Sequence, residues 1–316
     1  MLTLPTLIRR GYDPSIACGA ICASGTLGQI IPPSLILILL ADIMQLSVST
    51  LFVAAVVPGM LLAAVYCIYL LALGWLRPES MPAIPLEERS QVSRSELARR
   101  VWKVVVPPIT LVVAVLGSIV GGVAAPTEAA SMGAVGSVLI AALSGRLTLS
   151  ILRQVALETS KITAVMMFIL VGAQVFALAF RGLHGEDVIT RLFEWLPGGV
   201  NADIWFMMAL IFVLGFFIEW IEISYIAVPL FMPVLLAQGV DPVWIAILVT
   251  VNLQSSFLTP PFGWALFYLK GVAPPGVTIG HIYRGVVPFI LLQGVTLVLV
   301  FLYPQLALWL PKAIGW

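Results

Sequence analysis

The sequence predicts an all-α, polytopic membrane protein built around two inverted copies of a broken helix and a re-entrant hairpin. Three observations predict it. The 316 residues are 61% hydrophobic and only 10% charged, with a mean hydropathy of +1.09, outside the range of soluble domains. Several apolar stretches reach the roughly 20 residues that a membrane-crossing helix needs. Two of these stretches carry adjacent prolines, Pro32-Pro33 and Pro260-Pro261, and a helix in lipid cannot spare the hydrogen bonds that proline removes. The solvent is therefore the lipid bilayer. A net charge of +1 gives no electrostatic footprint for a nucleic-acid partner.

Taken in order, residues 14–45 form a first broken helix, interrupted at Pro32-Pro33. Val48–Leu76 is a long span, and Arg77–Arg100 is the one substantial hydrophilic loop. Trp102–Val123 and Pro126–Leu143 read as the third and fourth spans. The run "APTEAA" at Ala125–Ala130 reads as a helix start, with Pro126 early and Glu128 in the first turn. Leu147–Lys161 is polar enough to lie on the surface, and Ile162–Phe180 is a fifth span, so scaffold-type spans fill residues 48–181. Within Glu186–Leu196, Val188, Ile189, Leu192, Phe193 and Leu196 recur at helical spacing, the pattern of an interfacial helix. Ile204–Phe217 and Ser224–Gln238 are each short for a crossing and flank "IEWIEIS", so residues 203–238 read as one re-entrant hairpin. A second broken helix covers 243–270, and the last span covers 286–310. Cys18, Cys22 and Cys67 all lie in apolar segments without His or acidic company and read as small core residues, not metal ligands. His184 and His281 fall in predicted loops.

An internal repeat organises the chain. Laid over Pro233–Pro261 without a gap, Pro5–Pro33 brings Pro5, Leu7, Gly11, Asp13, Pro14, Pro32 and Pro33 onto Pro233, Leu235, Gly239, Asp241, Pro242, Pro260 and Pro261. All but the Leu pair are Pro, Gly or Asp, residues that set backbone geometry. With Arg77–Arg100 inside, four spans separate the first copy from a hairpin that returns to the side it left. The second copy then runs the opposite way. Of the sixteen Lys and Arg residues only Arg181, Arg191 and Lys312 fall outside in this arrangement, as the positive-inside rule demands. On the outer side Glu186, Asp187, Glu194 and Asp203 balance the arginines. Inverted repeats with discontinuous helices are the signature of secondary transporters, whose site forms where the breaks meet near the midplane.

Proline has no N–H, so Pro32 and Pro33 release the carbonyls of Gly28 and Gln29, and Pro260 and Pro261 release those of Ser256 and Phe257. Each break offers carbonyl oxygens at the C-terminal end of one half-helix, suited to a hard cation such as Na⁺. It also offers the positive N-terminal end of the next half-helix, suited to a substrate carboxylate. The candidate Na⁺ ligands are Gly25, Thr26, Gly28 and Gln29 in the first copy, and Asn252, Ser256, Phe257 and Thr259 in the second. The candidate substrate contacts are Ser34, Gln254, Ser255, Phe262 and Glu219. The structural alternative is a pair of proline kinks packed against neighbours. Glu219 and Glu222 flank Trp220 in an apolar setting, where an acid is functional by default; the alternative is a hairpin tip that reaches water. No GxSxG, HExxH or Walker A run and no paired metal-binding cluster occurs in the sequence, so neither an enzyme nor ATP coupling within this chain is expected, and no cofactor beyond a coupling ion.

The runs "GTLGQIIPPS" (25–34), "APTEAA" (125–130), "PLFMPVLLAQGVDP" (229–242) and "NLQSSFLTPPFG" (252–263) resemble the large membrane subunit of tripartite ATP-independent periplasmic (TRAP) transporters. The likeness covers essentially the whole chain in the right order. "GFFIEWIEI" with "FGWALFYLKGVAPP" looks most like the branch often labelled for mannitol or chloroaromatic compounds. The resemblance implies Na⁺-driven uptake of an organic acid across the bacterial inner membrane, delivered by a periplasmic binding protein, with a small four-helix membrane subunit as partner. It also implies a mobile elevator domain of hairpins and broken helices beside a scaffold of the remaining spans. Members of the family carry a longer N-terminal half, with a first hairpin ahead of the segment matching Pro5. The repeat likewise sets the counterpart of Ile204–Phe231 before Met1, so the expectation is a C-terminal portion of the family domain. Other expectations left open are a single-component Na⁺- or H⁺-coupled carboxylate carrier and a non-transporting membrane scaffold.

Overall fold

In lipid every backbone N–H and C=O must find an internal partner, and this chain meets that demand with helices. The computed structural model describes residues 3–83, 93–261 and 263–315, with no strand among them. The helices are α1 (Thr3–Arg9), α2 (Pro14–Thr26), α3 (Leu35–Ile43), α4 (Val48–Leu76), α5 (Arg94–Val104), α6 (Val106–Val120), α7 (Pro126–Leu143), α8 (Leu149–Gly182), α9 (Gly185–Trp195), α10 (Val200–Leu214), α11 (Trp220–Ala237), α12 (Pro242–Ser256), α13 (Trp264–Val272), α14 (Ile279–Leu302) and α15 (Gln305–Ala313). Five are long and apolar enough to cross a membrane by themselves: α4, α7, α8, α11 and α14. The protein is an all-α polytopic membrane protein.

The chain forms two compact units, one of Met1–Pro82 with Ile169–Trp316 and one of Ala83–Phe168. The first unit holds both copies of the repeat, and the same local chemistry builds each. α1 and α11 end on Gly11 (φ +80°) and Gly239 (φ +83°), left-handed positions that a β-carbon would strain. The Tyr12 and Val240 amides then bond back to the Leu7 and Leu235 carbonyls at 3.1 and 3.2 Å, closing both helices alike. Asp13 accepts from the amides of Ser15 and Ile16 at 2.8 and 3.1 Å. Asp241 accepts from Val243 and Trp244 at 2.9 and 3.1 Å. Pro14 and Pro242 occupy the first helical positions, where a missing N–H costs nothing. The Pro32-Pro33 and Pro260-Pro261 peptide bonds are both cis. The correspondence continues beyond the aligned stretch. Ser47 caps α4 and Thr278 caps α14, and each of these helices carries an internal proline, Pro58 and Pro288.

The copies interlock. α2 packs on α14 and α12 on α4, so each half-helix rests on the other copy's long helix. At the first crossing the backbones touch: a β-carbon at Gly19 would lie 2.0 Å from the Gly285 carbonyl oxygen, and one at Gly285 would lie 2.0 Å from that of Ser15. α12 also lies against α3 and the 3₁₀ turn Leu27–Gln29, while α13 packs on α2, where the Cys22 thiol reaches the Ala265 carbonyl at 3.7 Å.

Four expectations shift. Leu147–Lys161 is not a separate surface segment. It is continuous with the fifth span in α8, a helix of 34 residues, because no Gly or Pro stands between Leu149 and Val171 and Glu158 pairs with Lys161 one turn on. The third span starts earlier, as α5 and α6 joined at a 40° bend. The last span ends at Leu302, where Pro304 stops it and α15 follows. Finally, α9, read as an interfacial helix, turns 112° into α10 and buries Ile189 and Phe193 against protein, with Phe193 stacked on Phe231 at 5.8 Å. α4, read as a scaffold-type span, lies in the unit that holds both breaks. In the second unit α7 begins as the sequence predicts, its Glu128 carboxylate accepting the Ala125 N–H at 2.9 Å.

Asp203 is also corrected. It is only 3% exposed and accepts from the Gln238 side-chain amide at 3.0 Å, so it is not a solvent-facing counter-charge. This contact ties the two arms of the hairpin at their base. Asp203→Ala removes this hydrogen bond while the exposed Gln238 amide turns to water, and the expected loss is about 1 kcal/mol, read as a lower melting temperature in detergent. Asp203→Asn keeps an acceptor and is expected to recover most of it. A melting temperature unchanged in the alanine variant would remove the contact from the stability of the hairpin.

The charge asymmetry gives a topology that labelling tests. In a Cys67→Ser background, with Cys18 and Cys22 buried, a cysteine at position 187 is expected to react with an impermeant reagent in intact cells, and one at position 90 is not. The reverse pattern overturns the orientation.

Candidate functional site

The second break is the more enclosed of the two. α12 delivers Asn252, Gln254, Ser255 and Ser256 to its C-terminal end, all buried, with Thr259 just beyond. The hairpin turn at 215–219 seats directly on this end. A β-carbon at Gly215 would lie 2.6 Å from that of Ser256. Trp220 lies over Phe257 with ring centres 6.4 Å apart, and the Asn252 side-chain amide donates to the Met208 carbonyl at 2.7 Å. Only the tertiary fold brings Gly215, Trp220 and Met208 to the break; the sequence carried no signal for the first and last.

The hydroxyl protons ahead of the paired prolines at both breaks share one direction. Thr26 donates to the Ala23 carbonyl at 2.9 Å, and Ser255 donates to the Asn252 carbonyl at 2.6 Å. Ser256 donates to Leu253 and Thr259 to Ser255. The Thr26, Ser255 and Ser256 protons point back into their own helices and the Thr259 proton into the end of α12, so each oxygen keeps its lone pairs for another partner. Oxygens turned this way suit a cation. They suit a carboxylate poorly, because an anion needs the proton that the backbone already holds.

Two of the four carbonyls expected to be bare are occupied. The Gln29 carbonyl accepts the Ser34 hydroxyl, and the Phe257 carbonyl accepts the Ala265 amide at 3.2 Å. Ser34, a candidate substrate contact, is buried and also accepts the Leu37 amide at 3.4 Å as the N-cap of α3. Its hydroxyl is thus taken up in joining the half-helices across the break. Gln254, 0% exposed, has neither side-chain atom paired among the described residues, and an amide in that position is the strongest polar candidate at the second break. Glu219 stands half-buried at the N-cap position of α11 with no capping bond from its side chain. One Glu222 oxygen is buried without a partner among the described residues. Phe262 lies outside the described residues.

The first break differs in its cover. Ser24, Gly25 and Gly28 are exposed, and nothing lies within 4 Å of a β-carbon at Gly25 or Gly28. Their counterparts Asn252, Leu253 and Ser256 are buried. A separate cavity of about 620 Å³ is lined by Met208, Phe212, Asn252, Ser255, Gln293 and Leu297 among others. Its lining holds no Lys or Arg, so it has no counter-charge for an anionic substrate. Sequence reasoning missed Gln293, which is 1% exposed. A lone amide in an apolar span was the available signal.

Residues 1–306 match the family described as the DctM component of the tripartite ATP-independent periplasmic transporter. The chain belongs to this family. The permease is 31% identical to the C4-dicarboxylate TRAP transporter large permease protein DctM of Pseudomonas aeruginosa, over 99% of this chain and 71% of that protein. It is 29% identical to the ectoine/5-hydroxyectoine TRAP transporter large permease protein UehC of Ruegeria pomeroyi, over 97% of this chain and 69% of that protein. It is 27% identical to the sialic acid TRAP transporter permease protein SiaT of Haemophilus influenzae, over 96% of this chain and 48% of that protein. These relatives are transporter permeases, not enzymes. The family and the apolar helices make this a multi-pass protein of the inner membrane.

Proposed function

We propose that this TRAP permease imports an organic acid in symport with Na⁺, by elevator-type alternating access. The observation that carries the reading is the pair of breaks built by one repeated local chemistry, each with a buried threonine oxygen open to a cation. α2 and α12 are about 20 and 22 Å long, less than the about 30 Å hydrocarbon thickness. Entering from opposite faces, as the charge asymmetry has it, both end past the midplane, where α12 already touches the first break. Thr26, Gly25 and Gly28 serve one Na⁺ site, and Thr259, Ser256 and Asn252 the other, the Gln29 and Phe257 carbonyls being taken up by Ser34 and Ala265. With no cation in the apolar cavity, the substrate carboxylate belongs at the half-helix N-termini after the breaks, near Gln254, Phe262 and Glu219, while the Ser255 proton is already held by the Asn252 carbonyl. The relatives' names run from a C4-dicarboxylate through sialic acid to ectoine, which supports the class of small organic acids and no single member of it. The partners are a small four-helix membrane subunit and a periplasmic solute-binding protein.

The test is uptake into proteoliposomes holding the complete complex with its binding protein and candidate organic acids. Accumulation that follows an inward Na⁺ gradient is the expected result. Accumulation driven by a proton gradient without Na⁺ removes the sodium assignment. An absence of uptake with every gradient favours a scaffold role.

A further inference from the structure

Helix α5 has a surface that neither break uses. At about 100° per residue, Leu97, Ala98, Val101, Trp102 and Val104 fall in one arc of about 160°, with Arg94 above them at the helix start. Ser95, Glu96, Arg99, Arg100 and Lys103 fill the opposite arc. The apolar side is open: Leu97 is 55% exposed, Val101 45%, and Trp102 and Val104 70% each. Glu96 pairs with Arg100, and Arg99 and Lys103 have no ion pair among the described residues. Two adjacent prolines, Pro107 and Pro108, open α6 and cannot return hydrogen bonds to the last turn of α5, which sets the 40° bend between the helices.

The bend fixes the depth. α6 has 15 residues, about 22 Å, and does not span an about 30 Å core alone. Only with α5 does it reach the length and hydropathy of a span. The end of α5 therefore enters the hydrocarbon obliquely, and Arg99, Arg100 and Lys103 come level with the phosphates. On the inside placement of residues 77–100, those phosphates belong to the inner leaflet. We propose that α5 binds anionic phospholipid of the inner leaflet, with Leu97, Val101, Trp102 and Val104 among the acyl chains and Arg99, Arg100 and Lys103 on the headgroup phosphates. Charge complementarity with an anionic leaflet, and continuity with a helix already in the bilayer, select lipid over a protein partner.

The test uses the complete complex in an uncharged detergent, with a fluorophore on Ser95→Cys in a Cys67→Ser background. Spin-labelled phosphatidylglycerol is expected to quench it at about tenfold lower concentration than spin-labelled phosphatidylcholine. The preference is expected to vanish in R99Q/R100Q/K103Q and to persist in R99K/R100K, which keeps the charge and controls for folding. A preference unchanged in the triple glutamine variant overturns the proposal. So does a fluorophore that neither lipid quenches, because a protein partner then covers the helix. The readout involves no transport, so it stands apart from the identity of the coupling ion.

Discussion

Gly285→Val is expected to leave almost no folded permease. At this position a β-carbon would sit 2.0 Å from the Ser15 carbonyl oxygen and 2.9 Å from the Gly19 nitrogen. These are backbone atoms of α2 and cannot swing aside as a side chain does. The helices must separate, and the separation opens the packing of Phe289 against Tyr66 and Tyr69, whose ring centres lie 5.1 and 5.3 Å away. The cost exceeds the ~1–3 kcal/mol of ordinary overpacking, because it adds lost contacts along α2 to the strain itself. Gly19→Val meets the same crossing from the other side, with the Gly285 carbonyl oxygen 2.0 Å away. Gly25→Ala is the control, since nothing stands within 4 Å of its β-carbon. The measurement is the monodisperse fraction on size exclusion and the melting temperature in one detergent. A Gly285→Val protein that elutes and melts like the parent shows that this crossing does not hold the unit together.

Thr259→Val is expected to raise the Na⁺ concentration for half-maximal uptake by about tenfold or more, with the fold intact. Valine matches threonine in shape, and the hydroxyl it removes donates only to the Ser255 carbonyl at the end of α12. Loss of that hydrogen bond is a small term, since the carbonyl also accepts the Leu258 amide at 3.0 Å. Loss of an oxygen ligand is the larger one, on the order of 1–3 kcal/mol for an unmet buried polar partner. Thr26→Val tests the first break in the same way. The Na⁺ curve is read in proteoliposomes beside the melting temperature, so a folding defect is separated from a binding defect. An unchanged curve in both variants excludes the hydroxyls from the ion sites.

Much of the fold was legible in the sequence because its signals are local. Gly11 and Gly239, Asp13 and Asp241, and Pro14 and Pro242 each act within one turn, so their spacing alone predicted two equivalent starts, and the structure forms both with the same bonds. Local signals set α4 and α7 to the residue: Ser47 caps the first and Pro78 follows its end, while Pro126 opens the second and Gly145 follows its end. Helix continuity was harder. Polar residues at Leu147–Lys161 resemble a surface segment by composition, yet a helix interrupts itself only for a backbone reason, and from Leu149 to Val171 there is none. The same limit applied to the released carbonyls: proline removes a donor to Gln29 and Phe257, but whether another donor arrives depends on Ser34 and Ala265 folding back.

By itself, then, the sequence determined the solvent, the number of the broken helices, and the polar residues at each break. Tertiary structure alone decided which groups stand beside them. That Gly215 rests on Ser256, that Trp220 lies over Phe257, that Asp203 closes the hairpin on Gln238, and that Gly19 meets Gly285 are contacts between residues far apart in the chain. In an apolar chain such pairs share no charge pattern or spacing that marks them. They follow from the close packing of helices whose separation is set by the smallest side chains at each crossing.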